Sequence, residues 1–221
     1  MRRKLIEMIT RYVTIACATL LAFAGAARGT DPNSDAAGAT SDDSGNRSFL
    51  ENAKKATRTS SGYHVEVFGS SDAGSIRVFG DVAGDDFDLI PSQSLRLRCV
   101  RGKYWKSSDG GGTWQPTARD RAAYNLVTSF IVGYQPKNSR IEVVEKKTLA
   151  SGILIWLELS PDPPPASLDT RLLPRFAIAK LGDGRTLLQG YKGAVLWSGN
   201  VTFVDVAYTK IGAVDKIVAP Q

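Results

Sequence analysis

Residues 95–116 read LRLRCVRGKYWKSSDGGGTWQP and predict a β-hairpin. Leu95, Leu97 and Cys99 alternate with arginines, which is the period of a strand with one buried face. An Arg-Gly pair at 101–102 supplies the tight turn, and KYWKS supplies the returning strand. Because Cys99 lies on the apolar side of this alternation, we expect a buried, unreactive thiol.

The hairpin is followed by the spacing S-x-D-x-G-x-T-W, formed by Ser107, Asp109, Gly111, Thr113 and Trp114. This spacing resembles the Asp-box of sialidases and related β-propellers. In such a turn the carboxylate accepts backbone N–H bonds, the glycine permits positive φ and the tryptophan packs on the hairpin base. One full copy in so short a chain cannot build a propeller of six blades. The box therefore predicts a hairpin turn and argues against a glycosidase.

The same period-two alternation continues on both sides of this hairpin. The prolines of residues 160–170, SPDPPPASLDT, predict a stiff connection that leaves the sheet edge. Short turns separate the other strands, so the sheet is predicted to be antiparallel. The further predicted strands are residues 63–67, 76–82, 141–143, 152–159, 176–181, 186–191 and 201–208.

One predicted strand is apolar on both faces. Ile153, Ile155 and Leu157 share one face, and Leu154 and Trp156 share the other. A sheet that packs through a single face alternates more cleanly than this. Either a second layer covers the other face, or one face lines an apolar cavity, and the sequence leaves open which face that is.

Two helices are predicted. Ser48 and Glu51 form a capping box, so the first helix should run from Ser48 to about Thr59. The second is predicted across residues 118–132. Its expected inward residues are Ala122, Leu126, Val127, Phe130 and Ile131.

The N-terminus predicts export. Basic residues precede an apolar run over residues 12–24, and the run ends in Ala24-Gly25-Ala26, a small-residue cleavage pattern. We therefore predict a signal peptide at residues 1–26, with an uncleaved anchor helix as the alternative. Residues 30–47 contain no aromatic or large aliphatic side chain, so residues 27–47 are predicted to be a disordered leader. One folded domain should then occupy residues 48–221.

The two cysteines separate at that cleavage point. Cys17 would leave with the signal peptide, so Cys99 could form no disulfide within the mature chain. Cys17 also lies in the middle of the apolar run, whereas a lipid-attachment cysteine belongs at its end. We therefore predict a soluble periplasmic or secreted protein without a lipid anchor.

The net charge of the chain limits the classes of partner that it is expected to bind. The formal net charge is +6, and the predicted signal peptide holds four basic residues and one acidic residue, which leaves +3. This charge is too small and too scattered for nucleic-acid binding. One local cluster could meet an anionic membrane surface, although a solvated face is the alternative. It comprises Arg96, Arg98, Arg101 and Lys103.

Residues for chemistry are sparse. His64 is the one histidine and falls on the polar face of a strand, and there is no cysteine pair for a zinc site. The acidic loop GDVAGDDFD at residues 80–88 lacks the spacing of a calcium-binding EF-hand. Neither a nucleophile elbow nor a phosphate-binding loop is present. The sequence predicts no catalytic residue, no metal and no cofactor, and hence a binding protein.

The order of elements resembles the LolA/LolB-like superfamily, particularly its LppX/LprG-type lipoproteins. A short helix leads into YHVEVFGS, and the hairpins SSDAGSIRVFGD and LRLRCVRGKYWKS follow. After a helix, TLASGILIWLEL precedes a last strand and tail, VTFVDVAYTKIGAVDKIVAP. The resemblance implies a mainly β (α+β) fold: an unclosed antiparallel β-barrel of about eleven strands, with two or three short helices at the concave face.

The resemblance also implies a function. The concave face of such proteins is apolar and holds the acyl chains of lipoproteins or glycolipids, so we expect a monomeric carrier or sensor of a lipidic ligand. RseB-type sensors share the fold and bind proteins, which leaves an interaction module without a lipid as the alternative. The candidate cavity residues are Val65, Val67, Ile76, Val78, Leu95, Leu97, Ile153, Ile155, Trp156 and Leu157.

Overall fold

The computed structural model describes residues 43–72, 74–119, 121–132, 139–162, 173–197 and 200–220. Within these ranges the side chains of residues 122, 126, 130, 132 and 195–201 are not described. The predicted signal peptide, most of the predicted leader and most of the proline-rich connection lie outside the described residues, so those predictions stay untested.

The described residues form one sheet of eleven strands. The order across the sheet is β6-β5-β4-β3-β2-β1-β11-β10-β9-β8-β7, and every neighbouring pair is antiparallel. Strands β6 and β7 are the two edges, so the sheet does not close. The predicted unclosed antiparallel β-barrel is confirmed. The strands are β1 (Tyr63–Ser71), β2 (Gly74–Ala83), β3 (Asp86–Ile90), β4 (Arg96–Val100), β5 (Lys103–Ser107), β6 (Gln115–Thr117), β7 (Ser139–Leu149), β8 (Gly152–Pro161), β9 (Arg175–Leu181), β10 (Thr186–Trp197) and β11 (Asn200–Thr209).

Two helices lie against the sheet, α1 (Asp43–Arg58) and α2 (Ala122–Val132). Helix α1 begins five residues before the predicted cap, because a distant strand holds its first turn. The Asp43 carboxylate accepts a 2.6 Å hydrogen bond from the backbone N–H of Ile141 in β7. Ser48 is consequently an exposed residue inside the helix rather than its cap. Neither described helix is long and apolar enough to cross a membrane.

The core lies between the helices and the inner, concave face of the sheet. Leu50 and Ala53 of α1 are buried there, as are Val127 and Ile131 of α2. These two α2 residues face inward as predicted, whereas Ala122, Leu126 and Phe130 belong to the side chains outside the description. Cys99 is a buried free thiol in this core. One layer of helices on one curved sheet is the whole described architecture.

Candidate functional site

Strand register places nine of the ten candidate residues on the concave face. In the middle of the sheet Val67 lies opposite Val78 on one side and Val206 on the other. In β8, Leu157 lies opposite the buried Phe176 of β9. Ile155 is two residues earlier in the same strand and therefore faces the same side. Their burial differs. Val65, Val67, Val78, Leu97 and Leu157 are buried, Ile76, Leu95 and Ile155 are partly buried, and Ile153 is 42% exposed.

Trp156 is the exception among the candidates. It alternates with Ile155 and Leu157 and therefore lies on the convex face, where the Lys192 ammonium stands 5.6 Å from its ring centroid. Including it with the cavity residues was wrong, because the sequence left both faces of this strand apolar. The five buried candidates also form a packed core beneath the helices rather than the wall of an open cavity.

Helix α1 crosses the inner face from β7 to β10 and is fixed by polar contacts. The Thr57 hydroxyl oxygen accepts a 2.9 Å hydrogen bond from the backbone N–H of Leu188. Lys54 is 3% exposed, its ammonium lies 5.0 Å from the Phe176 ring centroid, and it forms a 3.2 Å ion pair with Glu51. Burial lowers the pKa of Lys54 below its ordinary value, against the opposing effect of Glu51. The side-chain amine of Lys54 is thus held under the helix, next to apolar core.

Helix α2 covers the other half of the inner face. The buried Tyr208 hydroxyl donates a 3.1 Å hydrogen bond to the carbonyl oxygen of Val127 in the middle of the helix. The Tyr124 hydroxyl donates one of 3.0 Å to the carbonyl oxygen of Gly84, in the β2–β3 turn. Complete burial raises the pKa of Tyr208 well above its ordinary value, so this donor keeps its proton at any physiological pH.

One ion pair connects the start of α2 to the β2–β3 turn. The Arg121 guanidinium lies 2.7 Å from the Asp85 carboxylate and 4.2 Å from the Tyr124 ring centroid. The hydrogen bond from Arg121 holds the pKa of Asp85 below its ordinary value. Because Asp85 is mostly exposed, this contact is a weak tether.

Two cavities lie at the C-terminal end of α1. A space of about 380 Å³ lies between that end, the β9–β10 turn and Ile211. A second space of about 280 Å³ lies between Arg58, Tyr63 and the α2 residues Tyr124 and Thr128. Ser60 lines both. The second cavity therefore lies between the end of α1 and α2, and the core residues Tyr63 and Ile131 form part of its lining.

Sequence reasoning did not select the residues around these cavities. They come from the end of a helix, two turns and a second helix, which are far apart in the chain. The available signal was the Ser60-Ser61-Gly62 break after the first helix, because such residues end a helix and start a new direction. Nothing in that break indicated which elements would surround it.

The basic cluster divides into two pairs. Arg96 and Arg98 both donate hydrogen bonds to the carboxylate of Asp88, and the Arg98 guanidinium stacks 4.6 Å from the Trp114 ring centroid. Their charges are consequently engaged on the convex face. Arg101 in the β4–β5 turn and Lys103 at the start of β5 are exposed. This turn adjoins the cavity end of the sheet, since the backbone N–H of Arg101 bonds to Asp86 at the start of β3.

The Asp-box is a closed hydrogen-bonded loop between β5 and β6. The Ser107 hydroxyl donates to the Asp109 carboxylate at 2.5 Å, and the backbone N–H and hydroxyl of Thr113 donate to it at 3.0 and 2.7 Å. The backbone N–H of Gly111 bonds to the Ser107 hydroxyl at 2.8 Å. These bonds hold the pKa of Asp109 far below its ordinary value of 3.8. Every acceptor oxygen of the carboxylate serves the turn, as the sequence predicted.

Asp109→Ala is expected to lower the melting temperature at pH 7 while leaving ligand affinity unchanged. Since the folded-state pKa of Asp109 is depressed, its stabilisation is present above about pH 4 and is lost as the pH falls. The difference in melting temperature between wild type and variant should therefore shrink between pH 5 and pH 2, which a calorimetric pH series measures. Asp72→Ala, in the exposed β1–β2 turn, is the control. Sialidase turnover that disappears in Asp109→Ala would contradict this interpretation.

Other polar groups form no candidate active site in the described residues. His64 is on the convex face, where Nδ1 lies 2.7 Å from Asp81 and Nε2 lies 3.7 Å from Glu66. Among the described residues, no group of three or more histidine, cysteine, aspartate or glutamate side chains could hold a metal ion. The apolar concave face of the sheet therefore remains the candidate functional site.

No known family model matches the sequence, and no curated protein matches it significantly. Solved structures do match. LprF from Mycobacterium bovis superposes with a TM-score of 0.53 at 11% identity, over 80% of this chain and 97% of LprF. This chain has a LolA/LppX-like fold.

Two further structures match this chain with lower TM-scores. The lipoprotein LppX from Mycobacterium tuberculosis gives a TM-score of 0.48 at 12% identity, over 80% of this chain and 100% of LppX. MucB, also solved in complex with MucA, gives 0.36 at 13% identity, over 79% of this chain and 60% of MucB. The similarity to LprF, at 11% identity, shows the fold alone and leaves function to the site. The resemblance seen in the sequence is thus confirmed for the fold.

Proposed function

We propose that this protein is an exported carrier of a lipidic ligand, whose acyl chains occupy the space between the concave face and the two helices. The observation that carries the proposal is the apolar inner face beneath the helices, beside which two cavities share Ser60 in their lining. Ligand sites are typically apolar clefts of about 300 to 1,000 Å³. The first cavity, of about 380 Å³, falls at the lower end of this range, and the second, of about 280 Å³, lies just below it. An acyl chain would use them as its entrance.

Binding would be driven by burial and would require no bond-making. Each CH₂ group removed from water contributes about 0.8 kcal/mol, so one long acyl chain supplies about 10 kcal/mol before the costs of binding. Part of this energy must open the packed core. Val65, Val67 and Leu157 have no exposed surface in the closed form. The ligand therefore needs to move a helix away from the sheet.

Helix α2 is the element that would move. Its polar ties to the rest of the chain include two hydrogen bonds from tyrosine hydroxyls and, just before its first residue, the pair of Arg121 with the exposed Asp85. Helix α1, by contrast, is bound through Asp43, Asn46, Arg47 and Thr57 to the backbone of β7 and β10. Outward motion of α2 would join the 280 Å³ cavity to the apolar face. The acyl chains of lipoproteins or glycolipids are the ligand class that such a slot accepts.

The direct test is lipid content. Protein purified from its native host should yield a stoichiometric lipid on solvent extraction and mass spectrometry. After delipidation it should bind a fluorescent fatty-acid probe, which the extracted lipid displaces. A delipidated protein that binds no probe would exclude the carrier.

The basic turn suggests how the carrier would meet its donor or acceptor membrane. Arg101 and Lys103 project beside the cavity end of the sheet, so docking through them would present the entrance to an anionic bilayer. A basic residue near such a surface contributes about 1 kcal/mol. The export predicted from the N-terminus would place the protein in the periplasm or outside the cell, where such bilayers are within reach.

The double variant Arg101→Glu/Lys103→Glu is expected to lower binding to phosphatidylglycerol vesicles by about tenfold or more, because two attractive charges become repulsive. Vesicle co-sedimentation at low salt measures this. The control is Arg140→Glu/Arg175→Glu, which changes the net charge equally at residues that pair with glutamates away from that turn. Equal losses in both double variants would show that net charge alone determines binding.

A second candidate function is a protein-binding module without a lipid. It is favoured by the complete burial of Val65, Val67 and Leu157, which leaves no room for a ligand beside them in this structure. The two functions differ in one measurement, because only the carrier binds a fatty-acid probe after delipidation.

A further inference from the structure

Side chains of α1 form hydrogen bonds with the first half of the outer edge of β7, and no described strand lies beside its second half. In its first half, the Arg47 guanidinium donates a 2.6 Å hydrogen bond to the carbonyl oxygen of Ser139. The backbone N–H of Ile141 bonds to Asp43, and its carbonyl oxygen accepts a 2.9 Å bond from Asn46. Side chains of α1 thus satisfy the edge up to Ile141. From residue 143 to residue 149 no described strand pairs with it.

The orientation of the backbone in the open half follows from the ladder. The N–H of Leu159 bonds to Pro174 on the β9 side, so odd-numbered residues of β8 direct their backbone groups toward β9 and even-numbered residues toward β7. Lys146 and Thr148 lie opposite Ile155 and Ile153, both odd, after the bulge between Val143 and Glu145. The N–H and C=O groups of Lys146 and Thr148 consequently point outward, away from the sheet.

Exposed apolar and basic side chains surround this edge. Val143, Val144 and Ile153 are 39%, 43% and 42% exposed, and they are half of the large exposed hydrophobic side chains among the described residues. Three exposed lysines and one exposed acidic residue, Glu145, lie in this region. The lysines are Lys146, Lys147 and Lys180. A long unpaired edge with exposed apolar neighbours is uncommon in natural sheets, because a strand of another chain can pair with it.

We propose that residues 143–149 of β7 bind an extended segment of another protein, which adds as a further strand to the sheet. Its backbone would pair with Lys146 and Thr148, its apolar side chains would cover Val143 and Ile153, and its acidic side chains would meet the lysines. This surface lies apart from the two cavities and does not depend on a lipid ligand. Strand addition needs only the outward backbone groups and a partner of opposite charge.

The test uses a fluorescein-labelled ten-residue peptide in which valine and glutamate alternate, with anisotropy as the readout on the full chain. Lys146→Pro removes the outward N–H and blocks the edge, but it breaks no bond to β8, since that N–H points outward. Lys146→Gln removes only the charge and keeps the N–H. We expect Lys146→Pro to weaken binding by at least tenfold and Lys146→Gln by about two- to threefold. Thr148→Pro is a second edge variant that retains both lysines.

Three outcomes decide the proposal. Loss of binding in both proline variants, with near-normal binding in Lys146→Gln and unchanged melting temperatures, supports strand addition. Equal affinity of Lys146→Pro and Lys146→Gln overturns it in favour of charge attraction alone. Failure of the wild type to bind the peptide also overturns it. A matched peptide of alternating valine and lysine should bind at least tenfold more weakly than the glutamate peptide, and equal binding would remove the argument from charge.

Discussion

Gly80→Ala is expected to destabilise the protein by about 3 kcal/mol or more and to leave little folded protein at 37 °C. Gly80 lies in the middle of β2 with φ of +148°, a conformation that side chains rarely adopt. A Cβ at this position would lie 2.0 Å from the carbonyl oxygen of Asp88 and 2.9 Å from the Cα of Leu89. Both obstacles are backbone atoms of β3, so relief requires the strands to separate.

The matched control is Gly74→Ala. Gly74 also has positive φ, +128°, but a Cβ there would meet nothing within 4 Å. Its replacement should cost about 1 kcal/mol, from backbone strain alone. Urea unfolding followed by circular dichroism measures both variants. If the two cost the same, then the close approach of β2 and β3 at Gly80 does not shape the sheet.

Gly80 also illustrates how the sheet curves. Gly80 lies opposite Leu89 of β3 on one side and Val65 of β1 on the other, so the middle strand carries no side chain where the three strands bend together. Gly152 has the same role in β8. Its φ is +151°, and a Cβ added there would lie 2.1 Å from the carbonyl oxygen of Lys180. Curvature of this kind gives the concave face on which the proposed ligand would lie.

The strands were predictable from the sequence because their signal is local. Alternation of apolar and polar residues in β1 and β4 reports directly which side chains are buried, and Val65, Val67 and Leu97 are buried as that pattern requires. The turn residues between the hairpins fixed their ends. The fold class therefore followed from residues that are neighbours in the chain.

Features that depend on distant residues were not predictable in the same way. The start of α1 is set by Ile141, 98 positions away from Asp43. The arginines of β4 were correctly placed on one face, but the carboxylate that engages them comes from the adjacent strand as Asp88. The faces of β8 were undecidable, because only the pairing of Leu157 with Phe176 assigns one of them to the core.

That assignment makes two adjacent residues of β8 a sharp test of the proposed carrier. Ile155 is partly buried on the concave face, against the core and opposite the buried Ile178. Trp156 lies on the convex face beneath Lys192. The two side chains thus share a strand and a local backbone, and they differ in whether they face the proposed acyl chain.

Ile155→Asn is expected to weaken binding of a fluorescent fatty-acid probe by at least tenfold. A polar amide on the apolar wall must be desolvated without a partner when the acyl chain covers it, which costs about 1 to 3 kcal/mol. Trp156→Asn should bind the probe like the wild type, because its side chain faces the opposite side of the sheet. Melting temperature and probe titration are measured for both variants after delipidation. Ile155→Val, which keeps the wall apolar, should bind normally and separates polarity from packing.

The pattern across these three variants distinguishes the two candidate functions. A carrier requires that Ile155→Asn remains folded and loses the probe while Trp156→Asn keeps it. If Trp156→Asn loses the probe and Ile155→Asn does not, the ligand lies on the convex face and the proposed site is wrong. If the delipidated wild type binds no probe, the concave face is simply a core. The exposed edge of β7 and the basic turn would then be the surfaces through which this fold acts on proteins.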